Sequence, residues 1–358
     1  MKVTNRIFWA FLISGLFMSF TKDIQAQDPI LTQSQMVPLY YNPAFTGAFD
    51  GTYRVGLHYR DQWRRFLDEP INTWSVYGDF SFPAPFQDLG QGDRIGAGIQ
   101  FNADRVGPFD FNTDQISLNL AYHLALDNKK KESLSLGMSI GVLQRSINYS
   151  LLTFGDEFNG IDDYTQSTGE PLPPNILAVA DLGIGLRYAV KASPNAQFFA
   201  GLAMLHMTQP NISYYEQDNL LEPRYSSDYD LPARFDIQAG IRTDITKITS
   251  LTPRIHAIIQ GPFQFYQLGA TVRSEIIRSE ASAFHAGAWI NAHQEVSGFD
   301  LQGATLMAGM EVRNLLIGLS YDILADNLNS NVRWRNSFEF SIRFIGQAEN
   351  TDYFCPEF

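Results

Sequence analysis

In SLSLGMSIGV (133–142) every second residue is bulky and apolar. Leu134, Leu136, Met138, Ile140 and Val142 share one face of an extended chain, and Ser133, Ser135, Gly137, Ser139 and Gly141 share the other. A helix repeats every 3.6 residues and a strand every two, so this stretch is a two-faced strand. TYRVGLHYR repeats the pattern, with Tyr53, Val55, Leu57 and Tyr59 against Arg54, Gly56, His58 and Arg60. So does VRWRNSFEFSIRF near the end, where Asn336 is the polar residue on the apolar side. Strands are predicted at about 53–61, 71–81, 94–103, 113–125, 133–145, 176–191, 196–208, 234–246, 251–260, 263–274, 281–292, 302–312, 314–323 and 332–345.

Most of these are about as long as the 9–11 residues that take a tilted strand across a bilayer, against about 5–6 in an ordinary globular strand. Fourteen such strands predict an all-β fold, a transmembrane antiparallel β-barrel. A mean hydropathy of only −0.15 fits a wall that alternates between lipid and lumen, although the chain holds 27 Phe and 16 Tyr. A soluble double-layer β protein would also alternate. It leaves unexplained why so many long strands carry lipid-like faces bordered by aromatic residues.

At the N-terminus, Lys2 and Arg6 precede the apolar run Ile7–Phe20, and Ala26 offers a cleavage point before Gln27. This predicts a secretory signal peptide over 1–26. The expected organisation continues with a periplasmic N-terminal segment at 27–52, the barrel at 53–345 and a periplasmic tail at 346–358. Removing Lys2, Arg6, Lys22 and Asp23 takes the formal charge from −12 to −14, which argues against nucleic acid as a partner. Cys355 is the single cysteine and excludes an intrachain disulfide. The connections after even-numbered strands are mostly short, whereas those at about 146–175 and 208–233 are long and acidic. Short inner turns with long outer loops place both termini in the periplasm.

Chemistry is sparse. The histidines His58, His123, His206, His256, His285 and His293 are dispersed, without HxxxH spacing. Asp156, Glu157, Asp162 and Asp163 lack the regular spacing of a calcium loop and read as a solvated outer loop. Lys129–Lys131 read as a solvated turn or as a contact for anionic headgroups or a periplasmic partner. Gly183 and Gly185 lie inside a strand, where they mark lumen space or curvature rather than a nucleotide loop. No catalytic residue, metal ligand or cofactor is predicted. Arg54, Arg60, Arg187, Arg242, Arg333, Arg335 and Arg343 oppose Asp181, Asp236, Asp244 and Glu339. These charges either line an aqueous lumen, as in a porin-like channel or hydrophobic-solute transporter, or pair across strands and plug it.

Before the first strand stands YYNPAFTG. Pro43 fixes its own φ and biases Asn42 towards extended backbone, and Gly47 permits a turn. Tyr41 and Phe45 are expected to pack at the periplasmic mouth.

AQDPILTQSQMVPLYYNPAFTGAFDGTYRVGLHYRDQW, together with ADRVGPF (103–109), DLGIGLRY, FFAGLAMLHMTQPN (198–211), IGLSYDI (317–323) and the terminal CPEF, resembles the PorP/SprF family of type IX secretion outer-membrane proteins. The resemblance implies a non-enzymatic barrel in the outer membrane of a Bacteroidetes-like bacterium. It would support export, surface attachment or gliding-motility coupling of large secreted cargo, such as adhesins with C-terminal sorting domains. The implied partners are cargo at the outer face, type IX periplasmic or lipoprotein components at the inner face, and outer-membrane lipids. The implied motif and contact residues are Tyr41, Asn42, Pro43, Phe45, Gly47, Trp63, Asp104, Gly107, His206, Pro210, Tyr321 and Asp322. The sequence departs from the family where Phe338, not histidine, precedes Glu339, and where Trp289 is followed by Ile290 and Asn291.

Overall fold

The computed structural model describes residues 28–64, 67–84, 92–107, 110–127, 131–214, 229–276, 282–295, 298–324 and 336–346. The expected signal peptide and C-terminal tail, including Cys355, and Arg333 and Arg335 lie outside the described residues. Fourteen antiparallel strands close into a barrel. They are β1 (Tyr53–Gln62), β2 (Ile71–Pro83), β3 (Arg94–Val106), β4 (Phe111–Ala125), β5 (Glu132–Ser146), β6 (Ile176–Ser193), β7 (Ala196–Leu205), β8 (Arg234–Asp244), β9 (Thr249–Gln260), β10 (Phe263–Glu275), β11 (Ser282–Glu295), β12 (Gly298–Val312), β13 (Leu315–Leu324) and β14 (Ser337–Gly346). Each strand pairs with its sequence neighbours, and β14 returns to β1 in a register running from Tyr53↔Gly346 to Gln62↔Ser337. Closure satisfies the strand backbone without leaving an edge, as lipid requires. No helix among the described residues is long and apolar enough to cross a membrane.

The faces are inverted relative to a soluble protein. In β5, Leu136, Met138 and Ile140 point outward at 53–56% exposure, while Ser135 is buried. In water, each such residue would forgo about 1.5–3 kcal/mol of burial; a bilayer removes that penalty. The expected strands match closely. The main difference is that β12 starts at Gly298 rather than 302; β14 is described from Ser337, and the expected residues 332–335 lie outside the described residues. The early start of β12 accompanies a register irregularity at Asn291/Ala292 opposite Gly303, whose φ is +153°.

The two mouths differ. At one, β6–β7 and β12–β13 are joined by two residues each, 194–195 and 313–314. The other carries the longest connections, 147–175 and 206–233. We call these the short-turn and long-loop mouths.

Residues 28–52 overturn the expected placement. They are not gathered at the mouth from which β1 starts but thread the lumen from end to end. Asp28 reaches Gln260 at the long-loop end of β9, with its N–H donating to Oε1 at 3.1 Å. At the opposite mouth, Thr52 N–H donates to Gly346 O at 2.8 Å and the chain turns into β1. Between them lie a 3-10 turn at Ser34–Met36, one α-turn at Pro38–Tyr41 and a second 3-10 turn at Pro43–Phe45. Asn42 is extended (φ −158°, ψ 116°), as the following proline demands, and its Oδ1 accepts from Ala44 N–H. Tyr41 and Phe45 are fully buried deep in the barrel rather than packed at a mouth, and Leu31, Val37, Leu39 and Tyr40 join Tyr77, Ile258 and Phe265 in an apolar core.

The physical reason is space. Fourteen strands enclose more room than short inward side chains fill, and the small residues of β3, β5 and β6 are where the segment packs. A Cβ on Gly137 would come within 2.3 Å of Ala44 N, one on Gly185 within 1.9 Å of Asn42 Oδ1, and one on Gly96 within 2.0 Å of Thr46 O. The glycine-rich inner faces are therefore the seat of a plug. Gly137→Val should force the plug off this seat and lower stability by about 1–3 kcal/mol, the usual range for overpacking, measured by denaturant unfolding in detergent. Val142→Ala, on the lipid face of the same strand, should cost less in the same measurement.

Candidate functional site

The site is the plug and the polar shell that grips it. Near the short-turn mouth, Arg54 on β1 and Asp79 on β2 form a fully buried bidentate pair, with Nε to Oδ1 at 2.9 Å and Nη2 to Oδ2 at 2.7 Å. Both partners also hold the plug: Gly47 N–H donates to Asp79 Oδ2 at 2.7 Å and Arg54 Nη2 donates to Phe45 O at 3.1 Å. The guanidinium lies 4.7 Å above the Phe49 ring. Gly47, at φ +73°, makes the turn that presents its N–H. One strand pair away, His123 meets Thr46 O through Nε2 at 2.8 Å and Ser135 Oγ through Nδ1 at 2.7 Å, which assigns the proton facing Thr46 to Nε2.

Midway, Glu339 on β14 accepts two consecutive backbone N–H groups, from Thr32 at 2.7 Å and Gln33 at 2.9 Å. Arg60 bonds the same carboxylate and reaches Asp322 Oδ2 at 3.0 Å. His58 Nε2 stands 3.4 Å from Glu339. The Gln33 side chain is held on both sides, donating to Ser320 Oγ at 3.0 Å and accepting from Ser341 Oγ at 2.7 Å. The residue before Glu339, where the family's histidine was expected, is Phe338, which faces outward; the imidazole beside Glu339 comes from β1 instead.

At the long-loop end, Asp28 accepts from His206 Nε2 at 2.7 Å and Arg234 Nη1 at 3.1 Å. His206 Nδ1 meets Asp181 at 3.0 Å, so the imidazole bridges two carboxylates. Arg234 continues to Asp236 at 2.8 Å, which accepts from His256 at 3.0 Å, and its guanidinium lies over Tyr40 and Tyr41 at 4.6 and 5.1 Å. Tyr41 closes the segment's own loop, donating to Leu31 O at 2.7 Å and accepting from Leu31 N–H at 2.8 Å. Burial works against the imidazolium of His206, but Asp28 and Asp181 outweigh it and raise its pKa to about 10.

Above this layer, a cavity of about 610 Å³ opens at the long-loop mouth, lined among others by Asp28, Ile30, Trp63, Asp104, Phe265 and Asp322. Trp63 adopts φ +63° just past the end of β1. Of the residues singled out by resemblance, Tyr41, Asn42, Pro43, Phe45 and Gly47 form the plug, and His206 and Asp322 grip it. Trp63 and Asp104 line the cavity. Gly107 allows the close approach of Glu69, whose carbonyl would lie 2.3 Å from a Cβ there. Pro210 O accepts from Leu231 N–H at 2.9 Å, tying together the two ends of 206–233. Tyr321 stands apart on the outward face, bonded to Asn336.

The sequence reading placed Arg54, Arg60 and Glu339 on the inner face but missed their shared task, and it missed Asp28, Thr32, Gln33, Asp79 and Arg234 as anchors. The available signal was TQSQ (32–35), polar side chains without strand alternation, facing a wall of charges that needs partners. Among the described residues, no group of three or more His, Cys, Asp and Glu side chains is placed to hold a metal ion.

The family model described as type IX secretion system membrane protein PorP/SprF matches residues 24–344. No curated protein matches the chain. Among solved structures, the chain is similar to the Ralstonia pickettii toluene transporter TbuX (10% identity, TM-score 0.49, 87% of this chain and 94% of that one). It is also similar to a Pseudomonas aeruginosa FadL homologue (10%, 0.47, 86% and 94%) and the CymD monoaromatic hydrocarbon channel (13%, 0.46, 91% and 96%). Likeness at this level bears on neither substrate nor mechanism.

Two outcomes test the grip. Glu339→Gln removes the charge shared by Arg60 and two plug amides, and breaking a buried pair costs about 3–5 kcal/mol; detergent unfolding should show it, with residues 28–52 becoming protease-sensitive first. The stabilisation from His206 is fully present below the ordinary histidine pKa of about 6.5 and is lost as pH rises through its folded value of about 10. The melting temperature should therefore fall across that window, and His206→Asn should flatten the decline.

Proposed function

Because this chain belongs to the PorP/SprF family of type IX secretion system membrane proteins, we propose that it is a non-enzymatic outer-membrane barrel with a closed lumen. In this reading it retains a secreted cargo protein at its long-loop mouth. The observation that carries the proposal is the plug. Residues 28–52 fill the lumen by way of three layers of buried charge, so the barrel acts as a rigid platform rather than as a conduit. The 610 Å³ cavity is the recess that this platform offers, at the mouth that also carries the two longest connections. That both of the longest connections lie at one mouth supports that mouth as the cell exterior. Cargo with a C-terminal sorting domain, such as a gliding adhesin, would dock outside. Periplasmic or lipoprotein components of the secretion system would meet the short-turn mouth.

The channel reading turns on the same charges. Arg54 pairs with Asp79 and donates to Phe45 O of the plug, and Arg60 pairs with Asp322 and Glu339, so both guanidinium groups are engaged with acidic wall residues.

A photo-crosslinking residue at Trp63 in native envelopes should capture a surface-exposed cargo protein, and deletion of the gene should deplete that protein from the cell surface. An unchanged surface proteome together with empty crosslinks would sink the proposal. In planar bilayers the wild-type barrel should be silent, whereas Asp28→Asn with Glu339→Gln should produce intermittent conductance. Steady wild-type current would favour the channel.

A further inference from the structure

A second basin, of about 120 Å³, opens at the short-turn mouth beneath the plug, roofed by Gln35 and Met36. Its wall gathers arginine side chains from four strands and one turn. Arg242 comes from β8, Arg254 from β9, Arg273 from β10 and Arg343 from β14, and Arg313 from the β12–β13 turn, where it sits at φ +54°. The acidic side chains of this lining are Asp50 and Glu311. Glu311 is already engaged, bidentate to Arg273 at 2.8 and 2.9 Å and bonded to His285 at 2.8 Å. Arg343 also reaches the plug, with Nη1 3.5 Å from Gln35 O. Guanidinium groups stay charged at neutral pH, and Arg242, Arg254, Arg313 and Arg343 line one volume whose acidic side chains are Asp50 and Glu311.

The cavity at the long-loop mouth has the opposite bias, lined by Asp28, Asp104, Asp300 and Asp322 against Arg60. Cationic forks converging on a small concavity attract an oxyanion, and planar guanidinium groups match phosphate geometry bidentately. The volume suits a single phosphate-sized group rather than a peptide strand.

We propose that the short-turn mouth holds a phosphate-group binding site built by Arg242, Arg254, Arg313 and Arg343, distinct from the cavity at the long-loop mouth. The phosphate group comes either from free inorganic phosphate or from a lipid headgroup at the barrel rim. The full chain, purified in an uncharged phosphate-free detergent, is titrated calorimetrically with inorganic phosphate, using chloride at equal ionic strength as the reference. Saturable binding is expected, at least about tenfold weaker in Arg254→Gln with Arg343→Gln and unchanged in Arg105→Gln at the opposite mouth. Should the double variant fail to fold, Arg242→Gln on the rim should still weaken binding several-fold. A short-chain phosphatidic acid, used below its micelle concentration, identifies the source. Displacement of inorganic phosphate at tenfold lower concentration assigns a lipid headgroup, and weaker displacement assigns free phosphate. A wild-type response to phosphate no larger than that to chloride, or binding unaltered by both the double variant and Arg242→Gln, overturns the site.

Discussion

The carboxylate of Glu339 is the point on which the rest of the molecule converges. It sits on the last strand and bonds Arg60 on the first, while accepting the backbone N–H groups of Thr32 and Gln33 from the plug. One side chain therefore ties the closing seam of the barrel to the filling of its lumen. Isolated charge in a water-poor interior is costly, and the attraction between two buried ions offsets that cost only when their remaining hydrogen-bonding capacity is also met. Here the plug meets it, because its amides face the carboxylate directly. Wall and plug are thus each incomplete alone: the wall carries charges that need partners, and the plug carries backbone groups that need acceptors.

The same logic repeats up the lumen with different chemistry. Arg54 and Asp79 use a bidentate pair supplemented by an aromatic face. Asp28, His206 and Asp181 use an imidazolium between two carboxylates. Alongside these contacts the apolar residues of the plug pack on Tyr77, Ile258 and Phe265 in one core. A filled lumen of this kind leaves functional contact to the mouths.

How much of this was legible in the sequence depended on periodicity. Alternation in TYRVGLHYR or SLSLGMSIGV fixes both the strand and its lipid face, because lipid accepts the apolar side all along its length. Fourteen strands and their boundaries followed from that, including the inward direction of Arg54, His58 and Arg60. Residues 28–52 have no such period. Pro43 and Gly47 report local turns, and local turns carry no information about whether the chain lies beside a barrel or within it. The serines and glycines of β5 hinted at vacant interior, but what fills a vacancy is decided by contacts between residues such as Ala44 and Gly137, far apart in sequence. The anchors were hidden for the same reason: Thr32 and Glu339 are 307 positions apart.

Threading of residues 28–52 from one mouth to the other constrains the order of assembly. The seam between β1 and β14 joins the two ends of the barrel, and the plug runs straight into β1. Once that seam zips, the plug could enter only end-on, drawing Asp28 past Arg54, Arg60 and Glu339 in turn. A route that lays the plug across the open sheet before the last strand arrives avoids that passage. It makes the plug a template around which the wall curls, and β14 a clasp. The final hydrogen bonds of the wall would then form together with those that Glu339 accepts from the plug.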